Sequence, residues 1–295
     1  MEKIEFIECP RDAMQGHSRI FSINEKVSYL KTLMPVGFSA IDIGSFVSSQ
    51  SVPQMKDTPA VLEVLIDSKG NNEFLTIAAN SRGVYSAIDH RAVDIIGYPF
   101  SASEIFQKRN TNRSRKQALE ELKRYAELID RKNKKLVVYI SMAFGNPYAE
   151  TVSNQEILDF VGKIHNISNF EAISLSDTVA KANPASIKSL VMLIKNNFSD
   201  LNLGLHLHVP ERTALGTGLL QAAWDCGIRR FDSALLGYGG CPFAEDSLSG
   251  NLPTESLLSF ANTVNADNDI NAIALEVAHN LSLIHISEPT RRITI

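Results

Sequence analysis

Cysteine is scarce in this chain. The 295 residues hold three thiols, Cys9, Cys226 and Cys241, an odd number without CxxC spacing. That excludes a disulfide framework and points to free thiols in a reducing compartment, the cytoplasm. Long apolar runs are missing as well. No stretch reaches the roughly 18 residues that a membrane helix requires, and the N-terminal MEKIEFIECPRD lacks the apolar core of a secretory leader. A dominant charge is also missing: 29 basic against 33 acidic side chains leave a net charge of −4. Nothing global then draws the chain to nucleic acid or to an anionic membrane, and an anionic substrate has to meet a local basic cluster. Finally, no GxGxxG follows the first strand candidate, which argues against an open dinucleotide-binding sheet.

What is present is alternation. Short apolar or β-branched runs at residues 3–9, 40–45, 74–80, 93–98, 136–143, 171–177, 203–208 and 230–236 read as strands. Segments of helical period separate them, at residues 24–33, 59–65, 82–89, 116–131, 154–165, 185–198, 213–226 and 254–264. Strands joined through helices pair in parallel, since a parallel crossover needs a dozen or more residues. Eight consecutive βα units predict a closed (β/α)8 TIM barrel over residues 1–268. Residues 269–284 are expected to form an extra C-terminal helix. The last stretch, HISEPTRRITI (285–295), has no periodicity and, with the residues before it, reads like a translated sequencing adaptor. That tail is expected to be non-native and carries no site.

Sites in parallel barrels lie at the carboxyl ends of the strands. The first strand runs into Arg11 and Asp12, the second holds Asp42 and ends in Ser45, and the sixth ends in Asp177. The seventh ends in His206-Leu-His208, and the eighth leads into a Gly-rich loop with Cys241 and Asn251. Residues i and i+2 of a strand share a face, so both imidazoles are expected to face the barrel axis, with Leu203, Leu205 and Leu207 facing the helices. One carboxylate, two imidazoles and an amide suit an octahedral Mg²⁺ or Mn²⁺ with open positions; a hydrogen-bonded pair of core histidines is the alternative. The Cys241 thiol can act as a general acid or nucleophile, or simply fill space. Five basic residues in nine (108–116), Arg109 and Arg113 among them, place a phosphate-binding candidate on the same rim; a solvated charge run is the alternative. Glu8 is expected to share the parity of Asp12 and point into the barrel. Cys9 and Cys226 are expected to be packing residues.

Six pieces together resemble 3-hydroxy-3-methylglutaryl-CoA lyase, in the style of its bacterial branch: ECPRDAMQG (8–16), DIGSFVSSQSVPQM (42–55), SMAFGNPYAE (141–150), SLSDTV (174–179), HLH (206–208) and GYGGCPFAEDSLSGNLPTE (237–255). The resemblance covers residues 3–265. It implies a metal-dependent TIM-barrel lyase that cleaves an acyl-CoA substrate to acetyl-CoA and acetoacetate, as in leucine degradation, with Mg²⁺ or Mn²⁺. It implies Asp12, His206, His208 and Asn251 as metal ligands and Arg11 as the group stabilising the enolate oxygen. Cys241 falls on the family's carbanion-protonating cysteine, and Ser45 and Asp177 on polar residues of the substrate pocket. Asp42 stands where the family commonly has Glu; either it or a metal-linked histidine is the base. Val-Pro-Glu-Arg follows His208 in place of the family's Asp-Thr-Tyr-Gly, and Gly-Tyr-Gly-Gly replaces Gly-Leu-Gly-Gly. These departures leave room for a related acyl-CoA lyase, a Claisen-type synthase or a silent CoA-ester-binding barrel. A homo-oligomeric state is left open.

Overall fold

The computed structural model describes residues 1–17, 19–167, 170–209, 218–240 and 250–285. Eight strands pair in parallel: β1 (Glu5–Glu8), β2 (Ala40–Ser45), β3 (Phe74–Ile77), β4 (Ile95–Ser101), β5 (Lys135–Ser141), β6 (Ala172–Asp177), β7 (Leu203–Val209) and β8 (Arg230–Ser233). Each pairs with its sequence neighbour, and β8 returns to β1 through Phe6↔Phe231 and Ile7↔Asp232. The sheet therefore closes on itself, and the expected (β/α)8 barrel is the fold.

The helices are α1 (Pro10–Gln15), α2 (Ile23–Leu33), α3 (Thr58–Leu65), α4 (Ser81–Asp89), α5 (Glu104–Thr111), α6 (Arg115–Arg131), α7 (Asn154–His165), α8 (Pro184–Asn197), α9 (Leu219–Asp225), α10 (Thr254–Thr263) and α11 (Ala272–His285). Serines set several starts. Ser22, Ser114 and Ser153 each accept from the third helical N–H while Glu25, Gln117 or Glu156 reaches back, so two end donors are satisfied at once. The helix expected at 213–226 is seen as Leu219–Asp225; its start lies outside the described residues. The extra C-terminal helix is α11, which packs against α2 through buried Leu275 and Ala278. The tail from residue 286 onward lies outside the described residues. Among the described residues no helix is long and apolar enough to cross a membrane.

Three elements were not expected. Pro10 opens α1 directly after β1, its fixed φ suiting a first helical position. Residues 104–111 form α5, ahead of α6, so the basic run is divided: Lys108 and Arg109 end α5, Arg113 lies in the turn, and Arg115 and Lys116 open α6. A two-residue β9 (Gly250–Asn251) lies antiparallel on β7, pairing Asn251 with His208.

Strand alternation divides the core in two. Ile7, Ala40, Leu75, Ile95, Val137 and Ala172 plug the barrel interior. The opposite parity, including Phe6, Ile41, Phe74, Ile96, Val138 and Ile173, packs outward under the helices. Leu203, Leu205 and Leu207 join that outer layer, as expected. Further along the strands the inward positions turn polar, at Asp42, Ser174, His206 and Asp232. One end of the interior is thus an apolar plug and the other a polar mouth.

Candidate active site

The turn from β1 into α1 delivers Arg11 and Asp12 to the mouth. Arg11 donates from Nε (2.9 Å) and Nη2 (2.6 Å) to one oxygen of Asp42. Its Nη1 donates to Asp12 (2.8 Å) and to Gln15 (3.0 Å). A guanidinium has five N–H donors, so one remains, on Nη2, for a ligand. The side chain is locked yet lines the cavity. Flanked by two carboxylates, Arg11 is held charged against its burial. Burial also opposes the charge of Asp12, but Arg11, both imidazoles and Asn251 outweigh it and hold this carboxyl at about 2. Asp42, whose second oxygen has no hydrogen-bond partner among the described residues, is pushed up to about 6 by burial despite Arg11.

The two histidines lie on the inward face of β7, Nε2 to Nε2 at 3.2 Å. Their other nitrogens settle what those atoms are. His206 Nδ1 faces an oxygen of Asp232 at 3.1 Å, and His208 Nδ1 faces the Thr178 carbonyl at 3.0 Å. Both partners are acceptors, so each Nδ1 carries the proton and, in the neutral rings, both Nε2 atoms present lone pairs. The Asp12 carboxylate, an acceptor as well, lies within 4.8 Å of both rings. Three buried acceptor groups converging within 4.8 Å of one another form a geometry that can hold a cation. The cluster is therefore a candidate metal-binding group, and the hard O/N donor set fits a divalent ion. Burial and its neighbour push His208 down to about 4; burial acts the same way on His206, but Asp232 and Asp12 raise it.

The strand pairing of β9 brings Asn251 to the same place. Its amide donates to Asp12 Oδ2 (2.7 Å) and to the Tyr238 carbonyl (2.8 Å), while Gly240 N–H reaches Asp12 at 3.3 Å. Gly239 allows this approach: φ is +105°, and an added Cβ would stand 2.5 Å from the Asn251 amide and 2.7 Å from the Asp12 carbonyl. Cys241 and residues 242–249 lie outside the described residues.

A cavity of about 390 Å³ opens over these groups, lined on other sides by Ser45, Ser51, Arg109 and Tyr139. The basic run splits. Arg109 faces the cavity with its guanidinium 5.2 Å from the Tyr148 ring, whereas Arg113 pairs with Glu121 at 2.9 Å and is not among the lining residues. Asp177 also stays outside the lining: its carboxylate accepts the Lys181 and Ala182 N–H groups at 2.8 and 2.9 Å, a loop-fixing role. One parity reading needs correction. Glu8 faces outward, bonded to Thr254 (2.6 Å) and Leu235 N–H (2.8 Å), because α1 intervenes before Asp12 and strand alternation does not carry across it. Cys9 is the packing residue expected, buried in the inner core, and it also lines the cavity. Sequence reasoning missed Gln15, Thr178 and Asp232. Asp232 alone left a signal, an acidic residue at an inward position of the eighth strand.

A closed parallel barrel with an arginine-backed group of acceptors at its carboxyl end defines a class: barrel enzymes with a metal-binding mouth. Within it the chain belongs to the HMGL-like family, whose model matches residues 3–281, and with that family it is a carbon–carbon lyase. It is similar to (R)-citramalyl-CoA lyase of Chloroflexus aurantiacus, 31% identical over 94% of this chain and 89% of the relative. It is similar to the cytoplasmic 3-hydroxy-3-methylglutaryl-CoA lyase of Homo sapiens, 30% identical over 92% of this chain and 72% of the relative. A solved HMG-CoA lyase from Acinetobacter baumannii, in complex with coenzyme A and 3-methylmalate, superposes with a TM-score of 0.88 at 26% identity over 99% of this chain and 97% of that one.

Proposed function

We propose that this enzyme cleaves 3-hydroxy-3-methylglutaryl-CoA to acetyl-CoA and acetoacetate, with Mg²⁺ or Mn²⁺ held by Asp12, His206, His208 and Asn251. The observation that carries the reading is the triad of mutually facing acceptors beside a guanidinium with one N–H to spare. The coenzyme A in the A. baumannii structure supports an acyl-CoA ligand. A bound divalent cation supplies Lewis-acid chemistry, acidifying the tertiary hydroxyl and orienting the substrate's carboxyl group.

The chain's own groups do the rest. Arg11 directs its remaining Nη2 proton at the thioester oxygen, where negative charge develops as the C–C bond breaks. Both histidines have Nδ1 committed to an acceptor, and their Nε2 atoms would hold the cation, which would leave neither a lone pair for a proton. Asp42 is then the base: its open oxygen takes the hydroxyl proton, and a carboxyl near 6 accepts it readily. The electron pair of the broken bond goes to the acetyl-CoA enolate, and the Cys241 thiol returns a proton to that carbon. Ser45 and Arg109 contact the CoA ester from the cavity wall. Arg113 and Asp177 act at a distance, through Glu121 and the 177–182 turn. The free thiols suit a cytoplasmic setting.

The similarity to the citramalyl-CoA lyase supports a second substrate, shorter by one methylene between carbinol and carboxylate. Incubation with Mn²⁺ and each ester separates them. Acetoacetate from the first ester is expected. Pyruvate from citramalyl-CoA alone would move the assignment to that relative's substrate, and neither product from folded protein would overturn both.

A further inference from the structure

The two imidazoles are backed unequally. His208 leans on a peptide carbonyl, while His206 leans on the full charge of Asp232. The pairing of β7 with β8 sets His206 directly beside Asp232, so strand register, not a loop, fixes the contact. Asp232 is 2% exposed and is not among the residues lining the cavity. The oxygen that receives the imidazole proton is 3.4 Å from the Ser174 hydroxyl. Two residues earlier on the same inward face stands Arg230, 3% exposed, whose Nη1 pairs with Glu5 at 3.3 Å while Nε and Nη2 have no hydrogen-bond partner among the described residues. A buried cation thus lies behind the buried anion.

The position of one proton decides what the site is. With it on Nδ1, the Nε2 lone pair of His206 faces Asp12 and His208. With it on Nε2, the proton would point along the 3.2 Å line to His208 and join the two rings by a hydrogen bond, closing the group to a cation. Between the two neutral tautomers, the Asp232 carboxylate, which accepts at Nδ1, selects the first. We propose that Asp232 is a positioning residue for the metal centre: it holds His206 in the tautomer that keeps the site open, and its charge strengthens Nε2 as a donor. This rests on the metal reading above. Asp232→Asn would reverse the logic, because the new amide NH₂ can donate to Nδ1 and stabilise the closed tautomer.

The test is Mn²⁺ titration into metal-free protein, followed by electron paramagnetic resonance, with wild type and Asp232→Asn compared. Affinity is expected to fall by roughly 10–100-fold in the variant, the usual cost of losing a carboxylate behind a ligating histidine. In parallel, ¹⁵N resonances of labelled histidine report the His206 tautomer, expected as Nδ1–H in wild type at alkaline pH. Unchanged Mn²⁺ affinity in the variant, or an Nε2–H tautomer in wild type, would overturn the assignment, and the second readout needs no variant to fold. If wild type itself takes up no Mn²⁺, the metal reading fails, and the ¹⁵N tautomer still tests the hold of Asp232 on His206.

Discussion

Glu8 and Asp12 stand four residues apart, both buried, on opposite sides of the barrel wall, and they are held in opposite states. On the outer side Glu8 meets two neutral donors, the Thr254 hydroxyl and the Leu235 N–H, and burial pushes its carboxyl up to about 8. On the inner side Asp12 is also penalised by burial, but it meets a guanidinium, two imidazoles and an amide and stays near 2. The desolvation cost acts on both; the charge of the partners decides ionisation. The outer carboxyl is a neutral clamp joining β1, the exit of β8 and the start of α10. The inner one keeps the charge that its proposed role as a metal ligand requires.

The contrast predicts that inner-face changes strike the reaction and outer-face changes strike stability. The largest effects are expected at the groups proposed to carry the reaction. Cys241→Ala should slow turnover by roughly 10²–10⁴-fold, the span of a general acid step, and Arg11→Lys by roughly 10²–10³-fold, the cost of one oxyanion donor. Steady-state kcat on protein shown to be folded checks both, and a rate near wild type would remove that residue from the mechanism.

Next comes Glu8→Gln. A carboxyl raised from 4.5 to about 8 keeps in the folded protein a proton that the unfolded chain has already released. Its stabilisation is full below 4.5 and is lost as pH rises through 8. Asp12 has the opposite sign: its contribution is present above 3.8 and lost as pH falls toward 2. Melting temperature of the wild type is therefore expected to decline across the neutral range by more than that of Glu8→Gln, with kcat of the variant preserved. Equal pH slopes would break the comparison.

Gly239→Ala should cost about 1–3 kcal/mol, since it adds a side chain at positive φ against the Asp12–Asn251 contact. It should also weaken Mn²⁺ binding, which calorimetry reads. The smallest effects belong to the rim. Arg109→Ala is expected to raise KM with growing salt sensitivity, whereas Arg113→Ala, whose charge is spent on Glu121, should leave KM unchanged. Equal responses would mean that the CoA ester reaches the outer turn of α6.

Much of this was legible in the sequence, for reasons that differ by residue. His206 and His208 could be placed because a strand alternates strictly and the leucines between them declared its outer face. Asp12, Arg11 and Asn251 could be gathered because a βα barrel sends every strand end to one rim. Glu8 was misplaced because alternation stops where Pro10 begins a helix, so the parity of Asp12 says nothing about the strand before it. Arg109 and Arg113 looked alike as members of one basic run. Arg109 stands on α5 and faces the cavity, whereas Arg113 lies in the turn after it and meets Glu121.

The sequence by itself determined the eight βα units, the closed barrel and the rim at which polar residues collect, because periodicity and connection length are local properties. It also limited the cysteines to three, too few and too scattered to staple the chain. The tertiary structure alone decided which nitrogen of each histidine holds a proton, which carboxyl stays charged and which arginine faces the cavity. Those outcomes depend on partners brought from elsewhere in the chain: His206 is 26 residues from Asp232, Asp12 is 239 from Asn251 and Glu8 is 246 from Thr254. Hydrogen-bond polarity and charge are settled by what folding brings alongside, and no local pattern carries that information.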